Sequence, residues 1–387
     1  MLYNLLQATE SWLTEMGLYR FVQVLHQLEF RAFFAVVFSF LLVMAFGKRT
    51  IGWLIKQKIG DSPEFDHADV NKLMESKAET PTMGGILICG AMLATMLLFA
   101  DLRNEYIHIA LAVLIVLAGL GGADDWLKLT TARRNPGSRV GLYAWEKLLF
   151  QIGIAAIAGY FLYRQGVEEN AAHVLVLPFQ RTYEPGTFQL APHVITLGLG
   201  SFLLIAVLMI AGTSNAVNLT DGMDGLAPGA LTVSGLAMMV LCYIAGQDDI
   251  ARNLMFPRVH GTEELMVVTG AMAGACLGFL WFNCAPAQVF MGDTGSLPLG
   301  GTLAYIAMAI RQEILFIVIG GVFFMELWSV IIQVLYFKKT GGKRIFRCSP
   351  IHHHYHLGGW SEQQVVVRFW VLAVVFAMIA LVSIKLR

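Results

Sequence analysis

The chain has 387 residues, of which 57% are hydrophobic and only 14% charged, and its 27 lysines and arginines are balanced by 27 acidic residues. That composition excludes an ordinary soluble globular protein, because most of the chain must face lipid or other apolar helices, and it predicts an all-α polytopic membrane protein. Zero formal net charge and the lack of a long basic block give no support to nucleic-acid binding.

Met1 to Glu29 is mildly amphipathic and lacks the basic segment and small-residue cleavage site of a signal peptide, so it is expected to be retained and to lie near an interface. Ten apolar runs follow, at 31–47, 84–100, 104–122, 147–163, 193–212, 226–246, 265–282, 297–310, 314–337 and 368–385. They are judged against the ~20 residues that cross a bilayer as helix. The run at 297–310 is short, whereas 314–337 is long and carries Glu326, which predicts tilt, a break or a protruding end there. Between the fourth and fifth runs, His173–Phe179 and Thr187–Leu190 alternate around Pro185-Gly186, which predicts a small β-hairpin. The five cysteines, Cys89, Cys242, Cys276, Cys284 and Cys348, are scattered with no CxxC pair and read as small core residues.

Orientation follows from the Lys and Arg in the connections. The loops after the first, third and ninth runs hold six (Lys48, Arg49, Lys56, Lys58, Lys72, Lys77), five (Lys128, Arg133, Arg134, Arg139, Lys147) and five (Lys338, Lys339, Lys343, Arg344, Arg347). Segments on the other side hold one or two, so the odd-numbered loops are expected to be cytoplasmic, with both termini and segment 1–30 external. The whole of 1–387 then reads as a single integral-membrane domain with cytoplasmic loops at 48–83, 123–147, 213–225, 283–296 and 338–367.

All the unusual polar clusters fall on that one side. In Asn215-Ala216-Val217-Asn218-Leu219-Thr220-Asp221-Gly222-Met223-Asp224-Gly225, two carboxylates sit between apolar runs with no Lys or Arg beside them. Such anions call for a cation, a hydrogen-bond network or a shifted pKa; a Gly-rich turn capping the next helix is the plainer alternative. Asp124 and Asp125 end a run, so that one can hold a cation and the other act as a base, the plainer alternative being a cap or a salt bridge to Lys128 one turn later. Met291-Gly292-Asp293-Thr294-Gly295-Ser296 puts a carboxylate and flexible N–H groups at a helix start, where phosphate or metal-phosphate is favoured. Asn283 and Phe290 offer an amide and an aromatic face for a nucleobase. His352, His353 and His354 are adjacent and cannot all reach one ion from a regular helix or strand, so phosphate binding or proton handling is expected of them rather than zinc. With no GxxxxGK[ST] loop, the chemistry expected is metal-assisted phosphoryl transfer at a membrane surface.

Taken as a set, Thr80-Pro81-Thr82-Met83-Gly84-Gly85, Asp124-Asp125, the 215–227 stretch, Gly278 to Asn283, Pro286 to Asp293 and Pro350 to Tyr355 resemble the phospho-N-acetylmuramoyl-pentapeptide transferase family, from about Arg31 to Arg387. The resemblance implies ten transmembrane helices in the bacterial cytoplasmic membrane and a homodimer. It implies Mg2+-dependent transfer of phospho-MurNAc-pentapeptide from UDP-MurNAc-pentapeptide to undecaprenyl phosphate, giving lipid I and UMP. It further implies Asp293 as the principal Mg2+ ligand and Asp124 and Asp125 as essential carboxylates, Asp124 being the candidate base. Asn218, Asp221 and Asp224 would line the same cleft, with Asp224, Asn283 and Phe290 at the uridine and Lys77, Lys128 and His352 facing phosphates. An apolar groove beside Glu326 is expected to suit the polyprenyl tail. Glu79, Arg139-Val140, Met223 and His356 depart from the usual family residues, and Glu79 bears on the loop that carries Lys77. The related polyprenyl-phosphate N-acetylhexosamine-1-phosphate transferases are the alternative, disfavoured by the triple histidine. A transporter is disfavoured because its ionisable groups belong near mid-membrane.

Overall fold

A computed structural model describes residues 1–57, 80–134, 141–168 and 170–386, so Lys77 lies outside the described residues. The chain is a polytopic all-α membrane protein, built from α1 (Leu28–Lys56), α2 (Gly85–Phe99), α3 (Glu105–Arg134), α4 (Ala144–Gln165), α5 (Leu199–Thr220), α6 (Leu226–Gly246), α7 (Leu265–Asn283), α8 (Asp293–Ala309), α9 (Glu313–Ile319), α10 (Gly321–Thr340), α11 (Ile351–His356) and α12 (Glu362–Ser383). Among the described residues, eight helices are long and apolar enough to cross a membrane by length and composition, and α2 is a shorter apolar helix. Every apolar run falls largely on helix, the fifth only from Leu199 onward. The ninth divides at Gly320 into α9 and α10, one of the outcomes that its length and its buried Glu326 predict.

The short eighth run is the axis of the bundle. Every residue of α8 from Asp293 to Ala309 is buried, and it packs chiefly against α3 and α5. Its Gly-rich surface lets neighbouring backbones come close: an added Cβ at Gly121 of α3 would stand 2.1 Å from Asp293 O, and one at Gly85 of α2 2.1 Å from Gly295 N. Glycine at these two positions is therefore a packing requirement, because any side chain would push α2 and α3 off the start of α8.

Two sequence expectations are corrected. Residues 213–225 and 123–147 were expected as loops, yet α5 runs to Thr220, α3 to Arg134, and α4 starts at Ala144. Polar side chains alone do not stop a helix, and only the Asp221–Gly225 turn interrupts α5 and α6. The hairpin also pairs differently. Val174–Leu175 pairs antiparallel with Ile195–Thr196, while Thr187–Leu190 folds back locally, with Tyr183 bridged to Leu190. A tight turn pairs the residues that flank it, so Pro185-Gly186 joins 182–184 to 189–191 and leaves the earlier strand to find a later partner. For the same reason α5 starts at Leu199 and not near 193.

At the end of α7 away from Asn283, buried Arg31 makes a two-pronged ion pair with Glu264 and stacks 3.7 Å above the Tyr3 ring. Glu264 also accepts the Asp101 N–H at 2.6 Å, and Asp101 accepts the Asn4 amide at 2.6 Å. These contacts tie the N-terminal segment to the bundle, since neither charge of the buried pair could remain unpartnered at low cost.

Candidate active site

The site forms where α3, α4, α5 and the start of α8 meet. Asp124 and Asp125 are consecutive on α3 and so point about 100° apart, as successive helical residues must. Asp124, fully buried, accepts the Leu142 N–H at 2.7 Å and faces Lys128 Nζ at 2.7 Å and Lys147 Nζ at 3.1 Å. Asp125 turns instead to α8: it accepts the backbone N–H of Thr294 at 2.9 Å, the Thr294 hydroxyl at 2.7 Å and the Asp293 N–H at 3.3 Å. A helix start leaves its first N–H groups without intrahelical partners, and a carboxylate there is favoured by both hydrogen bonding and the helix dipole. Asp125 thus caps α8 from another helix.

Asp293, the first residue of α8, is the hub. Its Oδ2 lies 2.9 Å from Lys147 Nζ and 3.2 Å from Lys128 Nζ, and its Oδ1 accepts the Asn218 amide at 2.6 Å. Asn218, near the end of α5, is itself held by Ser296 Oγ at 2.9 Å. Asp124, Asp125 and Asp293 each offer an oxygen atom, all within 4.8 Å of one another, a cluster that could hold a metal ion. An all-oxygen, all-carboxylate set suits a hard divalent cation and not a thiolate- or imidazole-seeking one. Helical spacing pairs Asp124 with Lys128, but Thr294 and Lys147 enter the site only through the fold, and in the sequence Lys147 is one loop cation among several. Its one local signal is its place in the first turn of α4, next to Glu146, whose side chain accepts the Tyr143 N–H at 2.8 Å.

The acidic turn lies alongside. Asp221 ends α5 and accepts the Gly292 N–H at 3.2 Å. Burial pushes its carboxyl well above the usual carboxylate range, the Asp293 charge adds to the rise, and the Gly292 N–H opposes it. Asp224 accepts the Ala287 N–H at 3.0 Å, while its own N–H donates to Glu362 at 3.0 Å. Asn283, at the end of α7, accepts the Gly225 N–H at 2.9 Å and donates to Val289 O at 2.8 Å, so it joins the turn to the 286–292 segment. The Thr80–Gly85 motif pairs with that segment through Phe290 N–H to Pro81 O and Gly84 N–H to Phe290 O, both 2.8 Å, and the Phe290 side chain stays partly exposed.

The histidines lie outside the cluster of Asp124, Asp125 and Asp293. On the short helix α11 they splay as helical spacing requires. His354 accepts the Arg347 N–H at 3.1 Å, and the rings of His352 and His353 are buried 4.1 Å apart. The His352 ring is enclosed between Glu326 and Gly222, beneath the acidic turn. Glu326 is likewise fully buried, against His352. The structure therefore gathers Asp124, Asp125, Lys128, Asn218, Asp221 and Asp293 at one point, with Asp224, Asn283 and Phe290 along one side and the histidines behind the turn.

Comparison with known proteins bears on this arrangement. Residues 106–311 match the Glycosyl transferase family 4 description, and residues 77–89 match phospho-N-acetylmuramoyl-pentapeptide-transferase signature 1. The chain is similar to the phospho-N-acetylmuramoyl-pentapeptide-transferase of Nitratidesulfovibrio vulgaris strain DP4, at 43% identity over the full length of both chains. It is 41% identical to that of Oleidesulfovibrio alaskensis over the full length of both, and 41% identical to that of Neisseria meningitidis serogroup A over 97% of this chain and 98% of the relative.

Proposed function

The chain belongs to the phospho-N-acetylmuramoyl-pentapeptide-transferase family and is a membrane transferase, and from that premise we propose that it moves phospho-MurNAc-pentapeptide from UDP-MurNAc-pentapeptide to undecaprenyl phosphate, with Mg2+, giving lipid I and UMP. The observation that carries this reading is the buried cluster of three carboxylates at the start of α8, flanked by two partly exposed lysines. Asp293 is the principal residue to hold Mg2+, with Asp124 and Asp125 beside it; the bound ion would supply countercharge to the diphosphate as its P–O bond breaks. Lys128 and Lys147, both within 3.2 Å of Asp293, are placed to receive phosphate oxygens, and Asp124 to accept the proton of the lipid phosphate. Asp224, Asn283 and Phe290 bind the uridine side, Asn218 and Asp221 line the same cleft, Lys77 binds a phosphate, and His353 and His354 bind the substrate. One pyrophosphate linkage is broken and another formed, so no ATP site is needed. The Lys and Arg distribution supports a cytoplasmic active site with external termini, and family membership supports a homodimer.

Incubation with radiolabelled UDP-MurNAc-pentapeptide and undecaprenyl phosphate is expected to yield a lipid-linked sugar and UMP. EDTA is expected to stop the reaction and added Mg2+ to restore it; full rate in EDTA rejects the metal reading. A labelled lipid formed only from a UDP-N-acetylhexosamine would favour the sister transferases. Among the histidines, His352→Ala is expected to lower kcat/KM more than His354→Ala, because the first ring is enclosed in the site's frame and the second is partly exposed. Equal, mild losses would reduce the triple histidine to loop structure.

A further inference from the structure

One buried ionisable pair is used by none of these steps. Glu326 lies on α10, six residues beyond the break at Gly320, and both it and His352 are fully buried. Glu326 Oε2 is 3.1 Å from His352 Nδ1 and accepts the His352 backbone N–H at 3.4 Å. Its Oε1 and both ring nitrogens of His352 have no hydrogen-bond partner among the described residues, so the two side chains meet as a close ion pair and the hydrogen bond between them comes from the His352 backbone. A carboxylate in so apolar a place is costly unless it orients something.

What it orients is visible on the other face of the ring. A Cβ built on Gly222 would lie 2.5 Å from His352 Nε2 and 2.8 Å from Cε1, so the imidazole rests directly on the backbone of the turn. Gly222 is not among the glycines with positive φ. Its backbone would accept alanine, and the histidine ring is what excludes a side chain. The same turn carries Asp221 and Asp224, whose other anchors, the Gly292 and Ala287 N–H groups, come from the segment leading into α8.

We infer that Glu326 is a positioning residue: through His352 it sets where the Asp221–Asp224 turn stands against the 286–292 segment, and so governs the fit of the nucleotide carrier. This rests on the reading of that turn as part of the nucleotide pocket. The pair joins the helix that begins at the Gly320 break to the pocket, a route by which α10 and substrate binding are coupled.

The test is steady-state kinetics of the full-length, detergent-solubilised protein with UDP-MurNAc-pentapeptide. Glu326→Ala and His352→Ala are each expected to raise KM about tenfold with a smaller change in kcat, and the double variant to be no worse than either single one. Gly222→Ala is expected to reproduce the KM rise, and Glu326→Gln, which keeps an oxygen toward Nδ1, to stay within about threefold of the parent. Multiplying effects in the double variant, or a parental KM in Gly222→Ala, would overturn the inference. Should Glu326→Ala not fold, Glu326→Gln and Gly222→Ala still decide it. An unchanged KM in Asp224→Asn would instead reject the turn as nucleotide pocket. In that event the unfolding temperatures of the single and double variants still judge the pair, additive losses overturning it.

Discussion

Asp293→Asn is expected to lower UMP release by at least about a thousandfold while moving the thermal unfolding of the detergent-solubilised protein by no more than about 2 °C. The loss follows from position: Asp293 is the residue that both lysines, Asn218 and the other two carboxylates of the cluster surround. In the proposed reading, removing its charge takes away the principal cation ligand. Stability is expected to hold because each lysine keeps Asp124, at 2.7 and 3.1 Å, and because the new amide can turn its oxygen toward them. Asn218 can reverse its own amide to accept from the substituted side chain. A folded variant with normal turnover would remove Asp293 from the cation site.

Asp125→Asn is expected to fail in a different way, losing activity by about a hundredfold or more and also several degrees of thermal stability. Asp125 accepts three hydrogen bonds at the first turn of α8, two of them from backbone N–H groups. Asparagine turns one acceptor oxygen into a donor facing donors and removes the charge that complements the helix start, a cost of about 1–3 kcal/mol. Since every residue of α8 is buried, a loosened first turn also misplaces Asp293. Measuring unfolding and turnover together separates the two acids. Parental stability with lost activity in Asp125→Asn would make it a pure cation ligand like its neighbour, and parental activity would leave it a dispensable cap.

The contrast marks how far local sequence reaches. Hydropathy placed all ten apolar runs largely on helix, because transfer from water to lipid is a property of each stretch by itself. It also picked out Asp124, Asp125, Asp221 and Asp293, since a carboxylate beside an apolar run is costly wherever the chain goes. The length of the ninth run and its internal glutamate marked it as irregular, and of tilt, a break or a protruding end the fold shows a break at Gly320.

What was hidden depended on partners far along the chain. Asp125 meets Thr294 across 169 positions, and Lys147 meets Asp293 across 146. Nothing near Glu326 in the chain suggests His352, and the alternation of Thr187–Leu190 gives a face and not a neighbour, so its pairing with Tyr183 is not visible in the sequence. Composition and polarity by themselves thus determined that this protein is a bundle of membrane helices with acids at one set of helix ends, since those energies are local. Only the packing of α3, α4 and α5 around α8 decided which acid caps a helix and which lysines face the cluster, and only the seating of α11 between α10 and the acidic turn enclosed His352, because hydrogen bonds are short and directional and their partners are chosen by the fold.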